Sequence, residues 1–92
     1  MINLVPGKLY KIRTSMLKYF NVHTHEIQWA SVGDVVFILE LMDIHIIKCN
    51  KFPYEEHKYR ILFKEDMYYV YVNDIEVEFF YQLTEENYNK CL

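Results

Sequence analysis

Residues 59–81 constrain the chain more than any other segment. Three runs there have apolar residues at alternate positions, the period-two signature of a β-strand with one buried face. Two candidate two-residue turns, Glu65-Asp66 and Asn73-Asp74, cut the segment into strands at 59–64, 67–72 and 75–81. Turns of that length set the pairing. Tyr59 then faces Val72, Ile61 faces Val70, and Phe63 faces Tyr68. Across the second turn Val72 faces Ile75, Val70 faces Val77, and Tyr68 faces Phe79. One face reads Tyr59, Ile61, Phe63, Tyr68, Val70, Val72, Ile75, Val77, Phe79, all apolar or aromatic. The other pairs Arg60 with Tyr71 and Glu76, and Leu62 with Tyr69 and Glu78. A one-residue slip would turn the apolar set into water, so the expectation is a three-strand meander.

A lone meander leaves its apolar face bare, and residues 1–58 must supply the cover. That half holds further short strand candidates. Pro6-Gly7 is a turn signal before a strand at 8–13. Leu17-Lys18-Tyr19-Phe20 is a short strand candidate, residues 22–26 a polar loop, and Ile27-Gln28-Trp29 a short edge strand. Ser31-Val32-Gly33-Asp34 is a turn opening onto residues 35–41, the strongest strand in the chain. Its nearly continuous apolar run implies burial on both faces or a sharply bent barrel strand. Met42-Asp43 breaks the run, 44–49 form the next strand, and 50–57 a loop containing Phe52-Pro53-Tyr54. Thr84-Glu85-Glu86-Asn87 carries the start signal of a short C-terminal helical turn. The expected fold is all-β: one domain over residues 1–92, with five to seven short strands in a small, partly open barrel or compact sandwich, SH3-like in form. An OB-like barrel is the second choice, since it wants a helix where residues 50–57 leave too little room.

Composition bears on partners. The formal net charge is −3 over 92 residues, which disfavours a general nucleic-acid binder. No apolar run approaches the ~20 residues that cross a bilayer as a helix. The opening residues lack the basic and apolar regions of a signal peptide. Cys49 and Cys91 are far apart with no CxxC spacing. The simplest expectation is two reduced thiols in a cytoplasmic protein.

Motifs with catalytic mechanics are missing: there is no G-x-S-x-G elbow, no P-loop and no G-x-G-x-x-G. Neither cysteine has the local context of an activated nucleophile. His23-Thr24-His25 could meet Glu26, His45 or His57 at a zinc ion, but no ligand spacing of a metal site is recognisable, and solvated loop histidines are the simpler expectation. The chain therefore reads as a non-enzyme without a cofactor.

The feature that remains is the outward face of the meander. Tyr69 and Tyr71 stand there beside Leu62, Met67 and Phe80, within a rim of Arg60, Lys64, Glu76 and Glu78. Aromatic residues with an arginine and a charged rim are the composition of interface cores. Tyr69, Tyr71, Arg60, Leu62, Glu76 and Glu78 are accordingly the candidate partner-binding residues. Two plainer readings stand beside this one: the N-terminal strands cover the face, or it stacks bases or a nucleotide. The second meets mixed local charge, and the one basic cluster (Lys8, Lys11, Arg13, Lys18) is modest.

Gly7-Lys8-Leu9-Tyr10-Lys11-Ile12, the stretch from Val32-Gly33-Asp34 through Leu39, and the aromatic hairpin at 59–71 together resemble small uncharacterised proteins of tailed bacteriophages. The resemblance is one of pattern, covers about two-thirds of the chain and carries no catalytic residues. It implies a protein of the host-cell cytoplasm that docks onto a bacterial host protein and inhibits or redirects it, in some cases a defence factor. Two other functions compete: an oligomeric sponge for a nucleotide signal, and a virion or assembly component. Homo-oligomerisation through an edge strand suits any of them.

Overall fold

The computed structural model describes residues 2–48 and 52–84. Seven strands form one antiparallel sheet: β1 (Leu9–Ile12), β2 (Lys18–Asn21), β3 (Ile27–Trp29), β4 (Val35–Ile47), β5 (Tyr54–Phe63), β6 (Asp66–Asn73) and β7 (Phe80–Leu83). A 3-10 turn, Glu76–Phe79, separates β6 from β7. The order across the sheet is β3-β2-β6-β5-β4-β1-β7, curved into an open half-barrel. The expected all-β open barrel is therefore the fold.

The inner face is the core. Tyr10 and Ile12 from β1, Tyr19 from β2, Val36 and Ile38 from β4, Tyr59, Ile61 and Phe63 from β5, and Val70 and Val72 from β6 are all buried. Ile2, Leu4, Leu17 and Ala30 cap this cluster from the connecting segments. Tyr19 packs its ring against Phe63 and Tyr68 at centroid distances of 5.2 and 6.0 Å. Such pairs add about 0.5–1.5 kcal/mol each beyond the area they bury.

β4 is the bent strand that its apolar run predicts. It pairs with β1 through residues 35–37 and with β5 along its length, with register shifts between Ile38 and Glu40 and between Leu41 and Asp43. Bulges of this kind add bend and twist, so a single strand can turn the sheet's corner. Met42-Asp43 thus marks a bulge within one strand instead of a break between two. Beyond it the β4–β5 ribbon leaves the core, and Ile44 and Ile46 are exposed.

Two elements of the expected meander differ. The hairpin turn is Lys64-Glu65, not Glu65-Asp66: Tyr59 faces Val70, Ile61 faces Tyr68, and Phe63 faces Asp66. This register lies two residues from the expected one, so the same side chains still point inward. Asp66 explains the choice. Its Oδ2 accepts from Asn21 Nδ2 at 2.8 Å and its Oδ1 from Met67 N at 2.8 Å, holding it in β6 beside β2. These hydrogen bonds, helped by the His23 charge, hold its carboxyl below the ordinary aspartate range.

The third meander strand does not form. Asn73 Oδ1 accepts from Ile75 N (2.9 Å) and Glu76 N (2.8 Å), while Glu76 Oε1 accepts from Asn73 N (3.2 Å). This reciprocal exchange has the form of a capping box and winds the chain into the 3-10 turn. Ile75, expected in the core, is 73% exposed. β7 instead crosses the barrel to pair with β1, Phe80 opposite Ile12. The three-strand meander that does exist is β4-β5-β6. The predicted C-terminal helical turn, Cys49 and Cys91 lie outside the described residues.

The Ser31–Asp34 turn clamps the N-terminal strands. Asp34 Oδ2 accepts from the buried Tyr19 hydroxyl (3.2 Å) and from Ser31 N (2.8 Å). Asp34 O accepts from Ile12 N, and Gly33, at φ 98°, donates its N–H to Ile12 O. Burial, then the Asp34 charge, keeps the Tyr19 hydroxyl protonated far above the ordinary tyrosine range.

Two stability predictions follow from these contacts. Asp34→Ala strands the Tyr19 hydroxyl without its acceptor and costs roughly 1–3 kcal/mol in urea unfolding. Adding Tyr19→Phe to that variant removes the stranded group and recovers part of the loss. Lys64 and Glu65 both hold positive φ (48° and 65°), the geometry of a type I′ hairpin turn, which favours Asn-Gly. The double substitution Lys64→Asn, Glu65→Gly should raise stability by about 1 kcal/mol. A lowered urea midpoint would contradict the turn assignment.

Candidate functional site

The side chains that point away from the core line up in rows across the sheet, because residues paired in register share a face. One row runs Ile27, Phe20, Tyr69, Arg60, Glu40 through the β3-β2, β2-β6, β6-β5 and β5-β4 pairings. The next runs Met67, Leu62, Phe37, Leu9 and ends on the buried Leu83, crossing five strands without a polar residue. On the other side of the first row, Tyr71 faces Lys58 and Lys58 faces Asp43. The outer face is thus an apolar band with aromatic and charged flanks.

Four of the expected site residues lie on this face. Tyr69, Tyr71 and Arg60 are half-buried, and Leu62 is 39% exposed. Their neighbours differ from expectation because of the two-residue register change. Arg60 faces Tyr69 and Glu40 instead of Tyr71 and Glu76. Leu62 faces Met67 and Phe37 instead of Tyr69 and Glu78.

Glu76 and Glu78 ride on the 3-10 turn and do not sit across from Arg60 or Leu62. Glu78 is exposed there, away from the rows. Phe80 is also misplaced by the expectation: it is buried, edge-on to Tyr10 at 6.2 Å. Lys64 stands in the hairpin turn with its ammonium over the Phe63 ring.

Residues not foreseen complete the face. Phe20 meets Tyr71 edge-to-face at 5.6 Å. Ile27 and Trp29 on the edge strand are more than half exposed. Lys58 lays its ammonium 4.2 Å from the Tyr69 ring centre and 5.8 Å from that of Tyr71. Lys18 covers Trp29 at 5.0 Å, and Arg13 covers Tyr81 at 4.2 Å. The alternation in Leu17-Lys18-Tyr19-Phe20 was the available signal for Phe20, but which strand β2 joins is a long-range choice that local pattern does not carry.

The electrostatics are mixed. Arg60 Nη2 donates to Glu40 Oε1 at 2.8 Å, a surface pair worth at most about 1 kcal/mol. Its Nε is shut off from solvent with no acceptor among the described residues. A groove of about 390 Å³ opens beside the aromatic flank, lined by Met16, Leu17, Lys18, Phe20, Glu56, Tyr71 and Glu76. Burial first, and the Glu56 charge in addition, raise the Glu76 carboxyl above its ordinary value, against the opposing hydrogen bond from Asn73 N.

His23 and His25 are exposed on the β2–β3 turn, and no group of three metal-ligating side chains comes together among the described residues. No helix among them is long and apolar enough to cross a membrane. The chain matches no family model, no curated protein and no solved structure.

The raised Glu76 carboxyl gives a pH prediction. A carboxyl whose folded pKa exceeds its unfolded value favours the folded state in its protonated form. That contribution is present below the unfolded value of 4.5 and is lost as pH rises through the folded value. Glu56→Gln removes the neighbouring charge and should move the Glu76 midpoint down, read by carboxyl-carbon NMR titration. An unmoved midpoint would rule out coupling between the two acids.

Proposed function

We propose that this chain is a non-catalytic protein-binding module that docks a partner protein on the outer face of its half-barrel. The observation that carries the reading is the row Met67, Leu62, Phe37, Leu9, in which Leu62 is exposed and the others are half-buried, with Tyr69, Phe20 and Ile27 beside it. A sheet face left to solvent is ordinarily polar. A contiguous apolar band with aromatic and arginine flanks matches the anatomy of interface cores. The band also supports a flat macromolecular partner over a small ligand, which would need a concave pocket. The adjoining groove carries two carboxylates, an unfavourable lining for the phosphates of a nucleotide signal. On the resemblance to phage proteins, the partner is a bacterial host protein whose activity is blocked or redirected by the contact.

Immobilised wild-type chain should retain a defined protein from bacterial lysate that Leu62→Asp does not retain. Tyr69→Ala should reduce retention at least about tenfold, as expected of an aromatic anchor. Lys48→Ala, exposed at the far end of the β4–β5 ribbon, serves as the control and should retain the partner fully. Equal retention by wild type and a folded Leu62→Asp variant would overturn the assignment of this face.

A further inference from the structure

We propose that the groove between β2 and β6 receives a long cationic side chain, the guanidinium of an arginine or the ammonium of a lysine, presented by the partner protein. The inference rests on the docking reading and names the chemistry at one end of the same face. Its geometry comes from the strand pairing. β2 and β6 are joined through Phe20 opposite Tyr69 and Asn21 opposite Tyr68, and the ladder stops there. Lys18 and Tyr71, one step further, line an opening instead of continuing the sheet.

The lining suits a cation on a flexible apolar stem. Phe20 and Tyr71 form one wall as an edge-to-face pair at 5.6 Å, and Met16 and Leu17 contribute apolar surface. Aromatic faces attract a guanidinium or ammonium, while its methylene stem packs on thioether and aliphatic groups. Glu56 and Glu76 supply the opposing charge from two separate elements, β5 and the 3-10 turn. The Glu56 charge adds to the cost of ionising Glu76, and an incoming cation offsets that cost. The nearby cations are held on other rings: the Lys18 ammonium lies over Trp29 at 5.0 Å, and the Lys58 ammonium over Tyr69 at 4.2 Å, reaching the Tyr71 ring centre at 5.8 Å. At about 390 Å³ the volume is at the small end for ligand sites, enough for a long side chain and too small for a folded ligand.

The test uses the isolated chain, so its outcome is independent of whether a partner has been captured. The probe is the peptide acetyl-Gly-Leu-Arg-Leu-Gly-amide, titrated while the Met16 methyl and the Phe20 and Tyr71 ring resonances are followed by NMR. The expected result is saturable, millimolar-range shifts confined to those residues. The same peptide with citrulline in place of arginine, neutral but nearly isosteric, should bind at least about fivefold more weakly. Glu56→Gln with Glu76→Gln should weaken the arginine peptide similarly. Since Glu76 also holds the Asn73 turn, Glu56→Gln alone provides the reading if the double variant unfolds. Equal affinity for the citrulline peptide, or undiminished binding by a folded Glu56→Gln variant, would overturn the proposal. Spermidine is the arm that separates sources: binding about tenfold tighter than the arginine peptide would assign the groove to a free polyamine and reject a partner side chain.

Discussion

The hydrogen bond between Asn21 and Asp66 decides how the two halves of the barrel meet. Asn21 ends β2 and Asp66 opens β6, forty-five positions later in the chain. With Asp66 held in the strand, the hairpin must turn through Lys64 and Glu65, and both residues accept a left-handed backbone to do so. Asn21 is equally occupied on its other side, its Oδ1 accepting from His23 N and Thr24 N. One side chain therefore ties the β2–β3 turn to the β5–β6 hairpin. Every outward neighbour relation on β5 and β6 depends on that choice: Arg60 beside Tyr69, Leu62 beside Met67, Lys58 beside Tyr71.

Alternation of apolar residues carries parity and nothing finer. It correctly sends Tyr59, Ile61, Phe63, Val70 and Val72 inward and leaves Tyr69, Tyr71, Arg60 and Leu62 outward. Two registers that differ by two residues satisfy the same alternation, and only the long-range contact to Asn21 separates them. The segment 75–81 shows the converse failure. Its alternation is as good as that of its neighbours, yet Asn73-Asp74-Ile75-Glu76 holds the spacing of a capping exchange, a local signal that overrides the period. Ile75 goes to solvent, Phe80 goes to the core, and Glu76 leaves the position opposite Arg60. Strands β1, β2 and β3 were legible as strands. Their partners were not, so Phe20, Ile27 and Phe37 had no place in a site read from one hairpin.

The cations of the outer face are paired with rings more often than with carboxylates among the described residues. Arg13, Lys18 and Lys58 each lie over an aromatic ring, while Arg60 is drawn to a carboxylate on a neighbouring strand. A cation held by a ring at an exposed site gains about 0.5–1 kcal/mol and keeps its charge unneutralised. The ring in turn is partly screened from water without being buried. Such a surface tolerates solvent, and on the proposed docking it would release the lysine stems and expose Tyr69, Tyr71 and Trp29. The arrangement lowers the solubility penalty of carrying aromatic residues on an outer face.

The two ends of that face differ in the charge they present. Toward β1 and β7, Lys11 and Arg13 border Phe37, Leu9 and Tyr81. Toward β2 and the 3-10 turn, Glu56 and Glu76 border Phe20 and Tyr71. An apolar band alone would admit a partner in either of two opposed orientations at nearly equal energy, since burial is non-directional. The basic end and the mixed end, where Lys18 and Lys58 stand beside Glu56 and Glu76, are not equivalent, so the two orientations would differ in energy. On the proposed docking, the band would supply the strength of the contact and the carboxylates of the groove part of its direction. The geometry that makes the groove, a ladder that stops after Phe20 and Tyr69, is set by the same Asn21–Asp66 contact that fixes the band.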